Sequence, residues 1–163
     1  MNSKCGRIVF CAVVLSLAGV YGCSNSSREE ARAAVTDTTS ERVNVRKALD
    51  RFFYAVDKKD WKMVEEILAA DFQFYGDHLM VLNRSQFIDA MREDDMKIDK
   101  FDLKDVTIDL SPDGQMAWAR YRAHLESTMR DGPYNMDSAE TVVLRKEQGN
   151  WKLTHNHASV KKL

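Results

Sequence analysis

Along residues 41–163 the spacing of apolar positions changes from a helical rhythm to an alternating one. From Glu41 onward, Val45, Leu49, Phe52 and Val56 recur at steps of four, three and four, the stripe of an amphipathic helix. Asp60 stands where an N-cap belongs, and the "WKMVEEILA" that follows predicts a second helix with Trp61, Val64 and Leu68 on one face. "DFQFYGD" reads as a short strand ending at Gly76. Asn83 and Gln86 have capping-box spacing, which predicts a third helix through Phe87, Ile88 and Met91.

Beyond residue 100 the period becomes two. In "FDLKDVTIDL" the apolar positions slip phase between Leu103 and Val106, as a β-bulge requires. "SPDG" at 111–114 is a turn, "QMAWARYRAHLEST" a strand, and "DGP" at 131–133 a break. "MDSAETVVLRKE" and "WKLTHNHASV" form a hairpin across Gln148-Gly149-Asn150. The expected order is two helices, two strands, a helix and four strands. That is an α+β class: a cone of three N-terminal helices on a strongly bent antiparallel sheet.

The first 22 residues are of another kind. Lys4 and Arg7 precede an apolar run from Ile8 to Val20, a signal-peptide core too short to span a bilayer comfortably. "VYGC" after it resembles the lipobox of bacterial lipoproteins, with Tyr21 in a place more often held by a small residue. The resemblance implies acylation of Cys23, attachment to the membrane through its acyl chains, and a cell-envelope location. Ser24 in the next position implies the outer membrane, facing the periplasm, if the host has one. Ordinary secretory cleavage and an uncleaved anchor stay open as alternatives. Residues 23–40, polar and free of aromatics, read as the lipidated cysteine and a flexible tether, and 41–163 as one domain.

Cys5, Cys11 and Cys23 are the three cysteines, so the domain itself has no thiol for a disulfide, a nucleophile or a metal. Of 24 basic and 25 acidic residues, Lys4 and Arg7 belong to the leader, which leaves a slight negative balance and no footprint for nucleic acid.

"ALDRFFYAVDKKDWKMVEEILAADFQFYG" and "SAETVVLRKEQGNWKLTHNHAS" together resemble the opening and closing segments of the nuclear transport factor 2-like superfamily, in its SnoaL-like branch. The resemblance covers residues 41–160. It implies the cone fold and a pocket, but the same fold hosts isomerases, dehydratases, cyclases and assembly domains. The isomerases' oxyanion-hole tyrosine corresponds to Phe52, and their general base falls near Gly76, with Asp77 one residue out of phase. Of the pocket arginines of the related kinase association domain, Arg120 keeps one, while Val142 and Ala158 replace the others.

Taking Arg120 as inward, alternation places Trp118, Glu140, Val142, Thr154, Asn156 and Ala158 in the cone. The other face would carry Ala117, Ala119, Tyr121, Ala123, Thr141, Val143, Trp151, Leu153, His155 and His157, a set suited to a homodimer interface. The expected ligand pocket is Phe52, Trp118, Arg120, Glu140 and Asn156. Tyr75, His155 and His157 belong to the pocket or to the interface. No cofactor is expected. Nor is a metal, since His155 and His157 lack a third ligand and alternation puts His124 on the other face. Two readings lead, ahead of a purely structural dimerisation module that displays the tether. One is a cone that binds a small apolar or weakly acidic ligand, or a protein partner, without catalysis. The other is an isomerase, dehydratase or cyclase working by histidine–carboxylate acid–base chemistry.

Overall fold

The computed structural model describes residues 26–93 and 96–163; the leader and Cys23 lie outside them. Helices α1 (Ser26–Asp57), α2 (Trp61–Ile67) and α3 (Arg84–Glu93) accompany strands β1 (Leu68–Tyr75), β2 (Val81–Asn83), β3 (Lys97–Leu110), β4 (Met116–Met129), β5 (Gly132–Glu147) and β6 (Asn150–Lys162). A single 3-10 turn, Asp77–Leu79, joins β1 to β2.

The helix starts are made by the residues that the sequence nominates. Asp60 Oδ1 accepts from the Met63 amide at 3.0 Å. Asn83 Oδ1 accepts from the Gln86 amide, and Gln86 Oε1 from the Asn83 amide, each at 3.0 Å, a reciprocal capping box. α2 stops at Ile67 because Leu68 is already extended, so Leu68 opens β1 rather than closing the helix. Upstream, α1 begins at Ser26, so the stretch read as a tether is helical from there. Ala, Glu and Arg in "REEARAA" carry high helix propensity, which a reading based on missing apolar residues does not weigh.

The sheet order is β2-β1-β6-β5-β4-β3. β3 through β6 form an antiparallel meander, but β1 runs parallel to β6, so the sheet is mixed rather than wholly antiparallel. The phase slip in β3 is a bulge: register jumps between Lys104 and Thr107, with Asp105 at φ 54°. The hairpin turn is Gln148-Gly149, both at positive φ, closed by the pair Glu147 and Asn150.

One face of the sheet packs on the helices. Val45, Leu49, Phe72, Leu144 and Leu153 are fully buried there, each contributing about 1.5–3 kcal/mol by burial. In β4 this face is Ala117, Ala119, Tyr121, Ala123 and Leu125. The expected phase of β4 is therefore inverted. Tyr121 stands opposite Glu140 and Ala119 opposite Val142, whereas Arg120 stands opposite Thr141 on the outer face with Trp118. In β6 Trp151 and Leu153 are core residues instead of outer ones, because a register shift near Leu153 reverses the alternation ahead of His155.

Candidate functional site

Between α1, α3 and the inner face of the sheet lies a cavity of about 490 Å³. Its walls are apolar: Phe52 and Phe53 from α1, Phe74 from β1, Phe87 and Met91 from α3, and Phe101, Leu125 and Met136 from the long strands. The rings brace one another, Phe53 against Phe101 at 4.6 Å between centroids and Phe74 against Phe87 at 5.3 Å. Gly76 permits part of this wall, since a Cβ there would meet Phe74 Cε1 at 2.8 Å.

Two polar residues of the inner sheet face line this space, Glu140 and Asn156. Glu140 is held by three donors. Tyr121 Oη donates to Oε2 at 2.9 Å, Asn156 Nδ2 donates to the same oxygen at 3.1 Å, and Ser138 Oγ donates to Oε1 at 2.8 Å. All three are uncharged, and among the described residues no Lys, Arg or His forms an ion pair with Glu140. Burial, and after it the Glu140 charge, raise the Tyr121 hydroxyl far above the ordinary tyrosine range, so it remains a proton donor. Asn156 is buried, and its Oδ1 has no partner. Its amide cannot turn around, because that would set Oδ1 against the carboxylate. Asp57, Asp99 and Lys100 line the same cavity, and Lys100 is engaged by Glu126 at 3.3 Å and Asp102 at 3.4 Å.

Of the residues expected in the pocket, Phe52, Glu140 and Asn156 line the cavity. Trp118 and Arg120 do not. Trp118 is 40% exposed on the outer face, and Arg120 is ion-paired there with Asp109. The inverted phase of β4 carries both away, and the Arg120–Glu140 pairing goes with it. His155 and His157 lie on the outer face, where the His155 ring packs on Tyr75 at 5.0 Å. Burial, and then the nearby His157, lower the pKa of His155 below the ordinary histidine value.

His124 is on that same outer face, not the opposite one. Its Nδ1 is 2.7 Å from Asp137 and its Nε2 is 3.2 Å from Glu126, and these two carboxylates raise its pKa. With both ring nitrogens engaged, it offers no third ligand to the other two histidines. Asp77, one candidate for acid–base work, accepts the Val160 amide at 3.0 Å and so anchors β6. None of the four histidines lines the cavity. The residues that sequence reasoning missed are Tyr121 and Ser138, which orient Glu140. Ser138 stands two positions before Glu140 on the same strand face, and that spacing is the one signal that could have found it.

A second concavity of about 490 Å³ crosses the outer face along Lys104, Arg122, His124, Asp137 and Lys161. Arg122 is ion-paired with Asp105 and His124 with Asp137, so this groove has opposite charges within it. The inner cavity, walled by helices and rings, is the better-formed site.

Solved structures with this arrangement share its fold at low identity. A nuclear transport factor 2-like protein from Rhodospirillum rubrum is 22% identical, with a TM-score of 0.66, covering 72% of this chain and 98% of its own. A like-named protein from Cytophaga hutchinsonii is 13% identical, with a TM-score of 0.67 over 74% and 98% of the two chains. A ketosteroid isomerase-like protein from Erwinia carotovora is 15% identical, with a TM-score of 0.60 over 72% and 95%. A search of curated proteins finds no match. The family model of the SnoaL-like domain matches residues 45–161, most of α1's described core face through β6, and the chain belongs to that family.

Proposed function

We propose that this SnoaL-like domain binds a small, largely apolar molecule in the inner cavity and performs no chemistry on it. The observation that carries this reading is the make-up of the cavity: aromatic and methionine walls around Glu140 and Asn156, with no histidine among its lining residues. Acid–base catalysis by a histidine–carboxylate pair has no second member there. The weakly acidic ligand considered above depended on an inward Arg120. With that guanidinium on the outer face, an acid would meet the Glu140 carboxylate instead.

The test is native mass spectrometry of the chain expressed in its own envelope, beside Ala158→Phe. Ala158 is buried and lines the cavity, so a phenyl group there fills the space a ligand would take. A small-molecule adduct on the wild type that is lost in a folded Ala158→Phe supports the reading. Turnover of an added substrate by the wild type that is lost in a folded Ala158→Phe, or the absence of any small-molecule adduct, overturns it.

We also infer that the domain is held at a membrane through Cys23, supported by the cationic start, the apolar run and "VYGC". Cys23→Ser should then abolish palmitate labelling and move the chain from the membrane fraction to the soluble one. Labelling that persists in Cys23→Ser removes this part of the proposal.

A further inference from the structure

We propose that the ligand is a cation: a protonated, largely apolar amine whose N–H groups are received by Glu140. This inference rests on the cavity being a binding site, and it adds what that site selects.

A carboxylate inside an apolar space needs an opposing charge or strong hydrogen bonds. Glu140 has the hydrogen bonds, from Tyr121, Ser138 and Asn156, but none of these donors is charged. Its orientation is therefore fixed in advance, while among the described residues no cation pairs with its charge. Tyr121 reinforces this, since its hydroxyl is held protonated and adds no second negative charge.

The second observation is Asn156. Its side chain is 94% buried by exposure of 6%, its Nδ2 is committed to Glu140, and its Oδ1 lacks a partner. That Oδ1 is closed off from the cavity, so Asn156 acts on a ligand only through the carboxylate it holds in place. An ammonium has three N–H donors and no lone pair, so it answers that carboxylate. A carboxylate or a phosphate would bring it a like charge.

The walls favour the same choice. Phe52, Phe53, Phe87 and Phe101 surround the space, and ring faces attract a cation while burying the apolar part of the molecule. Asp57, Asp99 and Lys100 also line the cavity, but each is ion-paired, Asp57 with Lys58, Asp99 with Lys97 and Lys100 with Glu126 and Asp102, so the uncompensated charge inside is that of Glu140.

Three probes with one skeleton separate this inference from the binding reading beneath it: phenethylamine, phenethyl alcohol and phenylacetate, titrated calorimetrically into the full chain. The amine should bind about tenfold to a hundredfold more tightly than the alcohol, as a charge-assisted bond implies. The acid should bind most weakly. Glu140→Gln, close in shape, should erase the amine's advantage over the alcohol.

If the alcohol equals the amine, or the acid binds best, the amine inference is overturned while the cavity stands as a binding site. If the amine keeps its advantage in Glu140→Gln, the selectivity lies at the rim and the inference is overturned as well. If none of the three binds, the binding reading falls and takes this one with it. Should Glu140→Gln fail to fold, the ranking of the three probes on the wild-type chain decides alone.

Discussion

Glu41 ties the first helix to the last hairpin. Its Oε1 accepts from Lys146 Nζ and its Oε2 from Trp151 Nε1, each at 2.8 Å, so one carboxylate joins α1 to both β5 and β6. The Lys146 contact, more than the Trp151 contact, lowers its pKa below the ordinary carboxylate value of 4.5. Glu41→Ala would leave the indole N–H of a buried tryptophan without an acceptor, at a cost of about 1–3 kcal/mol. The expected outcome is a loss of that size in chemical denaturation at neutral pH. The sign of the pH dependence follows from the lowered value. The contribution of Glu41 is present above the ordinary value of 4.5 and is lost as pH falls through the folded one, so the gap between wild type and variant should narrow on acidification.

Strand β3 shows which elements can be read from a sequence and which cannot. Its bulge is legible because Leu103 and Val106 are both apolar and out of phase, and the structure places the break there, at Asp105. Asp105 has φ 54°, a left-handed conformation that aspartate tolerates and a β-branched residue does not. Asp105→Gly should therefore leave stability within about 0.5 kcal/mol, while Asp105→Val should lose about 1–2 kcal/mol more, both read from the denaturation midpoint. The capping residues Asp60, Asn83 and Gln86 are legible for the same reason: each acts within three residues of itself.

The phase of β4 is not local. "AWARYRA" alternates small residues with Trp118 and Arg120, then Tyr121 with Arg122, so large side chains lie on both faces and hydrophobicity alone does not choose. The choice is made by β5, which sets Tyr121 opposite Glu140 and buries the alanines in the helix-facing core. That single inversion removes Trp118 and Arg120 from the expected pocket and brings Tyr121 to the inner face, where it donates to Glu140. In β6 the register shift after Leu153 has the same character, since it is fixed by pairing with β5 and not by the strand's own pattern.

At the scale of the whole molecule, the fold and half of the site follow from the chain's two ends, while the partner of β1 follows from neither. β1 and β6 lie side by side, Phe74 aligned with Asn156 and Tyr75 with His157, although most of the domain separates them in sequence. Until residues 150–162 are available, β1 has only the short β2 beside it, and nothing joins that pair to the β3–β4–β5 meander. Contacts between distant segments form late, because loop closure opposes them until the packing they permit is complete. Asn156, Ala158 and Val160 of the cavity wall all belong to β6. A chain that emerges from a ribosome or a translocation channel amino end first therefore cannot mature in the order of its synthesis. Its first half must wait, with one edge of β1 unpaired, for the last strand to arrive, and that interval is when a holding chaperone would matter most to it.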